Sequence, residues 1–236
     1  MQIQDSTVLV TGANRGIGRA LIDAALSKGA ARVYAGTRVP FAHPDGRVVA
    51  LPIDVTDDRQ IAAAAARIGR LDVLINNAGI AHYDDLSDRA ELESHLAVNL
   101  FGTYSVTQAF LPALERAGGA LVNNVSMMAL APFPVTPAYA VSKAAAFNLT
   151  QSLRGLLTPR GVSVHAVLTG PTDTDMTRGL EIPKATPESV AQAILDGIEA
   201  GEEEIFPDPL SAQLADSWRS GPAKAFEHQF ALAAAA

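Results

Sequence analysis

Thr7-Val-Leu-Val-Thr-Gly-Ala-Asn-Arg-Gly-Ile-Gly18 decides how the chain folds. Its first part, Thr7–Val10, is a short apolar, β-branched run. Its second part, Thr11–Gly18, spaces three glycines as GxxxGxG and leads into an amphipathic helical pattern over Ile17–Lys28. Glycines at such a junction let the backbone turn tightly and approach a pyrophosphate, which the helix N-terminus then stabilises. The same triplet can also be an ordinary strand-to-helix turn, so the surrounding pattern must decide.

That pattern repeats down the chain. Strand candidates are Thr7–Val10, Arg32–Ala35, Val48–Ile53, Val73–Ile75, Ala120–Val125 and Ser163–Leu168, with a weaker one at Glu204–Phe206. Helical patterns cover Ile17–Lys28, Asp57–Ile68, Glu91–Arg116, Tyr139–Leu157 and Pro187–Ala200; the last starts with Thr186 as N-cap and Pro187 at the first helical position. Strands that alternate with helices and read as continuous apolar runs predict a parallel sheet covered on both faces. One crossover breaks the rule. Residues 36–47, Gly-Thr-Arg-Val-Pro-Phe-Ala-His-Pro-Asp-Gly-Arg, are too short and too interrupted for a helix, so a loop is expected there.

Bulk composition narrows the class. The chain has 236 residues, 48% hydrophobic and 18% charged, enough for one large domain with a substantial core. A net charge of −7 with no basic cluster argues against a nucleic-acid surface. Without cysteine there are no disulfides or thiolate metal sites, and the spacing of His43, His82, His95, His165 and His228 predicts no metal. The first residues lack a basic flank with a long apolar run, and no 18-residue apolar stretch follows, so a soluble, cytoplasmic protein with no membrane partner is expected.

With the alternation in place, the glycine stretch reads as a dinucleotide cradle. An NAD site wants a carboxylate after the second strand, whereas an arginine there accommodates a 2′-phosphate. The second strand ends Thr37-Arg38, its first following acid is Asp45 beyond a proline, and Arg15 lies inside the glycine loop. This pattern favours NADP(H) over NAD(H).

The candidate reacting groups lie further on. Tyr139 and Lys143 are four apart on a helix and therefore share a face. A tyrosine normally ionises near pH 10, and an ammonium beside it favours the phenolate. Ser126 ends the fifth strand candidate, at the edge of the sheet where ligands of open α/β folds sit. Asn99 is mildly unfavourable inside the long helix, and Gly102 soon after marks a local irregularity.

These motifs resemble the short-chain dehydrogenase/reductase family over nearly the whole chain to about residue 206. The matches are TGANRGIG at 11–18, Asp54-Val55, Asn76-Asn-Ala-Gly79, Asn99 with Gly102, Ser126 thirteen residues before the tyrosine of YAVSK, and Gly170 with Thr174. The resemblance implies a Rossmann-type, doubly wound, seven-stranded parallel α/β sheet in one domain, with the second crossover helix shortened or missing. It implies that Gly12, Asn14, Arg15, Gly16, Ile17, Gly18, Thr37, Arg38, Asp54, Val55, Asn77, Ala78, Gly79, Tyr139, Lys143, Gly170, Thr172 and Thr174 meet the cofactor. It makes Tyr139 the acid or base of carbonyl–alcohol interconversion, with Lys143 lowering its pKa and holding the ribose. By the same resemblance, Ser126 is expected to bind the substrate oxygen and Asn99 to support a proton-relaying water. A catalytically idle NADP(H)-binding sensor or scaffold is the alternative, and an epimerase or dehydratase of the extended group is a further one.

The chain departs from the family at Thr169-Gly-Pro-Thr172, where Pro-Gly is usual, and in a tail at 207–236 that runs past the family's end. Leu210, Leu214, Trp218, Phe226 and Phe230 give that tail one or two short helices, packed on the domain over the substrate mouth or docked on a neighbouring subunit, with plain core packing expected for most of them and Ala233–Ala236 frayed. Met127, Met128, Phe133, Val135, Tyr83, Met176, Leu180 and Ile182 are expected to line an open, apolar pocket for a hydrophobic carbonyl compound or alcohol, with His82 nearby but not catalytic. The resemblance also implies a homodimer or homotetramer, built on the long helix and the Tyr139 helix.

Overall fold

A computed structural model describes residues 1–234. Seven strands, β1 (Thr7–Thr11), β2 (Arg32–Thr37), β3 (Val48–Pro52), β4 (Val73–Asn76), β5 (Ala120–Asn124), β6 (Ser163–Val167) and β7 (Glu204–Ile205), pair in parallel in the order β3-β2-β1-β4-β5-β6-β7. Helices α1 (Gly16–Ser27), α2 (Asp58–Ala65), α3 (Arg89–Leu96), α4 (Thr103–Ala117), α5 (Pro137–Leu157) and α6 (Pro187–Ala200) cover the two faces. The sheet is parallel and covered on both faces, as the alternation predicted, and it is the doubly wound Rossmann type that the resemblance implied. Its strand order reverses between β1 and β4, and open α/β sheets bind ligands at that switch point.

Side chains alternate across the sheet, as the two-residue period of a strand requires. Val8 and Val10 of β1, Val73 and Ile75 of β4, and Val122 of β5 join Leu21, Ile22, Ile194 and Ile198 of α1 and α6 in one core. Their neighbours Leu9, Leu74 and Leu121 face the other way, into a second core with Phe110 and Leu114 of α4 and Leu153 and Leu157 of α5. Both faces are therefore apolar, which is why the strands read as unbroken hydrophobic runs.

Between β2 and β3 there is no helix, as the prolines predicted. The loop covers α1 instead: Phe41 packs against the first core, the Arg19 guanidinium stacks 4.9 Å from its ring centroid, and His43 Nε2 pairs with Asp23 at 3.0 Å. The predicted long helix, 91–116, is α3 and α4 joined through a π-helical turn at Ala97–Gly102. Asn99 and Gly102 are the irregularity that the sequence marked, and both are buried.

The tail forms α7 (Ala215–Arg219) and α8 (Pro222–Ala234). Trp218 packs edge-on against Phe147 of α5, ring centroids 5.2 Å apart. The general expectation of core packing fails for Phe226 and Phe230, which are 54% and 69% exposed and stack on each other. What anchors α8 is charge: Lys224 bonds Glu204 at 2.9 Å and Glu227 at 3.1 Å, and Arg154 of α5 pairs with Glu204 and Glu227. Ala233 and Ala234 are helical rather than frayed, and residues 235–236 lie outside the described ones.

Candidate active site

The carboxyl ends of the strands open into one cavity of about 870 Å³. At its β1 end, Gly12 and Gly16 have φ of +65° and +52°, values that a side chain rarely tolerates. A Cβ on Gly18 would stand 2.2 Å from the Gly12 carbonyl oxygen, so α1 can lie this close to β1 only with glycine there. Arg15 occupies the N-cap in extended conformation and gives no side-chain hydrogen bond to the helix. The first N–H groups of α1 therefore have no side-chain cap, and Asn14, Arg15, Gly16, Ile17 and Gly18 line the cavity beside them.

Thr37, Arg38, Asp54 and Val55 continue the wall at the ends of β2 and β3. Arg38 is exposed and makes no ion pair among the described residues, whereas Arg15 pairs with Asp175 at 3.2 Å. Asp45, the first acid after β2, stays off this wall. Arg47 binds its carboxylate at 2.7 Å and holds it down at about pKa 2.

After β4, Asn77 and Ala78 donate their main-chain N–H groups to the Thr11 hydroxyl, both at 3.0 Å, and with Gly79 they form the cavity floor. Asn99 does not line the cavity. From the π turn its Oδ1 accepts the Ile80 N–H at 2.9 Å, and its Nδ2 donates to the Ile80 oxygen and to Ser142 of α5. It thereby ties the floor to the helix that carries Tyr139.

Ser126, Tyr139 and Lys143 share one wall. The Lys143 ammonium is buried, lies 5.6 Å from the Tyr139 ring centroid and donates to the Asn124 main-chain oxygen at 2.8 Å. Burial pulls Lys143 down to about 8. Burial also pushes the Tyr139 hydroxyl above its usual value, while hydrogen bonding with Ser126 pulls the other way. The fold without a bound cofactor therefore does not itself depress Tyr139: burial raises the hydroxyl, and the opposing pull comes from Ser126.

In the loop after β6, Gly170, Thr172 and Thr174 reach the cavity, and Thr174 caps a short turn over Asp175–Thr177. Met127, Met128, Phe133, Val135, Tyr83, Met176, Leu180 and Ile182 all border the far end, joined by Leu210 from the tail. Phe133, Tyr83, Met176 and Ile182 are exposed, so this end is open. His82 also lines it and bonds Glu91 at 3.0 Å. His95, buried beneath, bonds the His82 N–H through Nε2 and the Glu91 oxygen through Nδ1, which engages both ring nitrogens.

Several supporting residues escaped sequence reading. Asp84 accepts the Ala138 N–H at 3.2 Å and so caps α5, where Thr136 provides no side-chain bond. Asn124 bridges Asn77 and Thr169, and buried Asp208 accepts the Gly170 N–H. Each bond spans dozens of residues and leaves no local pattern; only Thr169 carried a signal, as a departure from the family.

Comparison with known proteins agrees with this fold. The short chain dehydrogenase family model matches residues 6–184. A short chain dehydrogenase from Monascus purpureus, mpl6, is 33% identical, covering 91% of this chain and 78% of its own. The ketoacyl reductase HetN of Nostoc sp. is 32% identical over 85% of this chain and 77% of its own. Among solved structures, a short chain dehydrogenase from Burkholderia cenocepacia in complex with NADP superimposes with a TM-score of 0.87 at 37% identity, covering 93% of this chain and 95% of that one. The chain belongs to the short-chain dehydrogenase/reductase family of oxidoreductases.

Proposed function

We propose that this protein is an NADP(H)-dependent oxidoreductase that interconverts a hydrophobic ketone or aldehyde and its alcohol. The observation that carries this reading is that Ser126, Tyr139 and Lys143 share a cavity with the glycine cradle and the uncapped start of α1. That cradle suits a pyrophosphate, since its N–H donors lack a side-chain cap and its glycines leave no Cβ in the way. Arg15 and Arg38 would hold a 2′-phosphate, and the absence of Asp45 from the wall removes the carboxylate that an NAD ribose prefers. The complex of the Burkholderia relative with NADP supports this choice.

When bound, NADP(H) supplies or accepts the hydride. Tyr139 then donates the proton that neutralises the developing alkoxide, or removes it in the reverse direction. The Ser126 hydroxyl orients the substrate oxygen, and the buried Lys143 ammonium holds the ribose and stabilises negative charge on the tyrosine. Asn99 fixes the floor beneath Tyr139 and, by resemblance, supports the water that reprotonates Lys143.

The far end of the cavity is mostly apolar, with adaptable methionines at 127, 128 and 176, which favours aryl, alkyl or cyclic carbonyl compounds. NADPH oxidation with acetophenone, nitrobenzaldehyde, octanone and cyclohexanone, set against pyruvate and oxaloacetate, tests that choice. Faster turnover of the apolar set is expected; faster turnover of the charged ketoacids overturns it. Phe101, Tyr104, Val141 and Leu156 stand exposed on the π turn, α4 and α5, and they support a homodimer or homotetramer through these helices. A single species at monomer mass in light scattering would contradict that assembly.

A further inference from the structure

A chain of hydrogen bonds runs along the carboxyl edge of the sheet and crosses five adjacent strands. Asn77 Nδ2, after β4, donates to the Thr11 main-chain oxygen of β1 at 3.0 Å. Asn124 Nδ2, at the end of β5, donates to Asn77 Oδ1 at 2.9 Å. The Thr169 hydroxyl, after β6, donates to Asn124 Oδ1 at 2.6 Å. The Gly170 N–H donates to Asp208 Oδ2, after β7, at 2.6 Å.

The direction of this chain is forced. A main-chain carbonyl can only accept, so Asn77 must turn its amide nitrogen to Thr11 and its oxygen to Asn124. Asn124 is oriented in turn, and its Oδ1 needs a donor, which the Thr169 hydroxyl supplies. At the far end Asp208 is 5% exposed and accepts four donors: the N–H groups of Gly170, Leu210 and Ser211, and the Ser211 hydroxyl. An asparagine there would set one N–H against a donor. The fit is also tight, since a Cβ on Gly170 would stand 2.4 Å from Asp208 Oδ1.

This chain meets the reactive wall at three points. Asn124 gives its main-chain oxygen to the Lys143 ammonium, and the Thr169 oxygen accepts both the Ser126 hydroxyl at 3.3 Å and the Met127 N–H at 3.0 Å. We propose that Thr169 and Asp208 are positioning residues that hold Ser126 and Lys143 in register through Asn124, so that the tail after β7 forms part of the active site. The inference rests on the catalytic reading of Ser126, Tyr139 and Lys143 given above.

The experiment compares Thr169→Val, Thr169→Ser, Asp208→Asn and Tyr139→Phe with wild type. It measures kcat and KM for the carbonyl panel, the Kd of NADPH by its fluorescence, and Tm. Thr169→Val keeps the shape and loses the hydroxyl; kcat is expected to fall roughly tenfold, less than the ~100-fold cost of a ~1 Å misplacement. NADPH binding should change much less than kcat, Thr169→Ser should restore turnover, and Asp208→Asn should follow Thr169→Val. Turnover that is equal in wild type and Thr169→Val overturns the proposal, as does a loss that Thr169→Ser fails to rescue. If Asp208→Asn does not fold, the two Thr169 variants decide. Wild type silent on every carbonyl, or Tyr139→Phe fully active, overturns the underlying catalytic reading instead.

Discussion

The buried ammonium of Lys143 lies 2.8 Å from the main-chain oxygen of Asn124, and no carboxylate of the described residues pairs with it. Burial lowers its pKa from 10.5 to about 8, so the folded protein binds that proton more weakly than the unfolded chain does. Stability therefore rises with pH between about 8 and 10.5, and the penalty for the buried charge is fully present below 8. Across that window the difference is on the order of 3 kcal/mol. Tyr139, raised above 10.0, opposes the trend at the alkaline end. Denaturant melts of wild type and Lys143→Met should show the variant more stable at neutral pH, with the gap narrowing as pH rises past 8. A gap independent of pH would mean that Lys143 is not held as a strained cation.

The cap that Asp84 places on α5 should matter for both stability and rate. Asp84→Ala removes the acceptor for the Ala138 N–H, one residue before Tyr139. Loss of an N-terminal cap costs about 0.5–2 kcal/mol, so Tm should fall by a few degrees and kcat should fall with it. Unchanged Tm would show that water caps the helix equally well.

Glu204 on β7 is buried between Arg154 and Lys224, themselves nearly buried. Losing Glu204 removes the most buried carboxylate of the set and leaves Glu227 as the remaining close partner of both cations, a cost approaching the ~3–5 kcal/mol of a broken buried pair. Glu204→Gln is expected to destabilise by that order in chemical denaturation and to loosen α8 first, visible as faster amide exchange in that helix. A loss below about 1 kcal/mol, the worth of a surface pair, would remove the cluster as the anchor of the tail.

Cofactor choice should respond to Arg38 at the end of β2, which makes no ion pair among the described residues. A charge-assisted bond to phosphate is worth about 1.5–3 kcal/mol, so Arg38→Ala should weaken NADPH binding roughly 10- to 100-fold and leave NADH unchanged. Arg15→Ala should act the same way, less strongly, because Asp175 already engages Arg15 at 3.2 Å. Equal losses for both nucleotides would mean that these arginines bind the pyrophosphate rather than discriminate.

Much of this architecture was legible before any coordinates. The strands bury both faces, so they stand out as apolar runs such as Thr7–Val10, and the prolines at 40 and 44 rule out a helix after β2. Asn99 with Gly102 marked the π turn, because an interior asparagine and a glycine strain a regular helix. Every expected cofactor residue lines the cavity, and Asn99 alone of the four expected catalytic residues stands behind it. The bonds of Asp84, Asn124 and Asp208 were invisible, since each joins segments far apart in sequence with residues ordinary for loops and strand ends. The burial that raises the Tyr139 hydroxyl was hidden for a related reason: spacing reveals the neighbouring ammonium but not the depth of burial.

The central claim is that Tyr139 carries the proton of a carbonyl–alcohol interconversion. The most direct measurement is NADPH oxidation by wild type and Tyr139→Phe with acetophenone, nitrobenzaldehyde, octanone and cyclohexanone, with NADPH affinity measured in parallel. General acid–base groups contribute about 10²- to 10⁴-fold, so the variant should lose turnover by that order while binding NADPH as before. Tight NADPH binding with no wild-type turnover on any carbonyl, or undiminished turnover in Tyr139→Phe, would contradict the account and point to a nucleotide-binding sensor or to another proton donor.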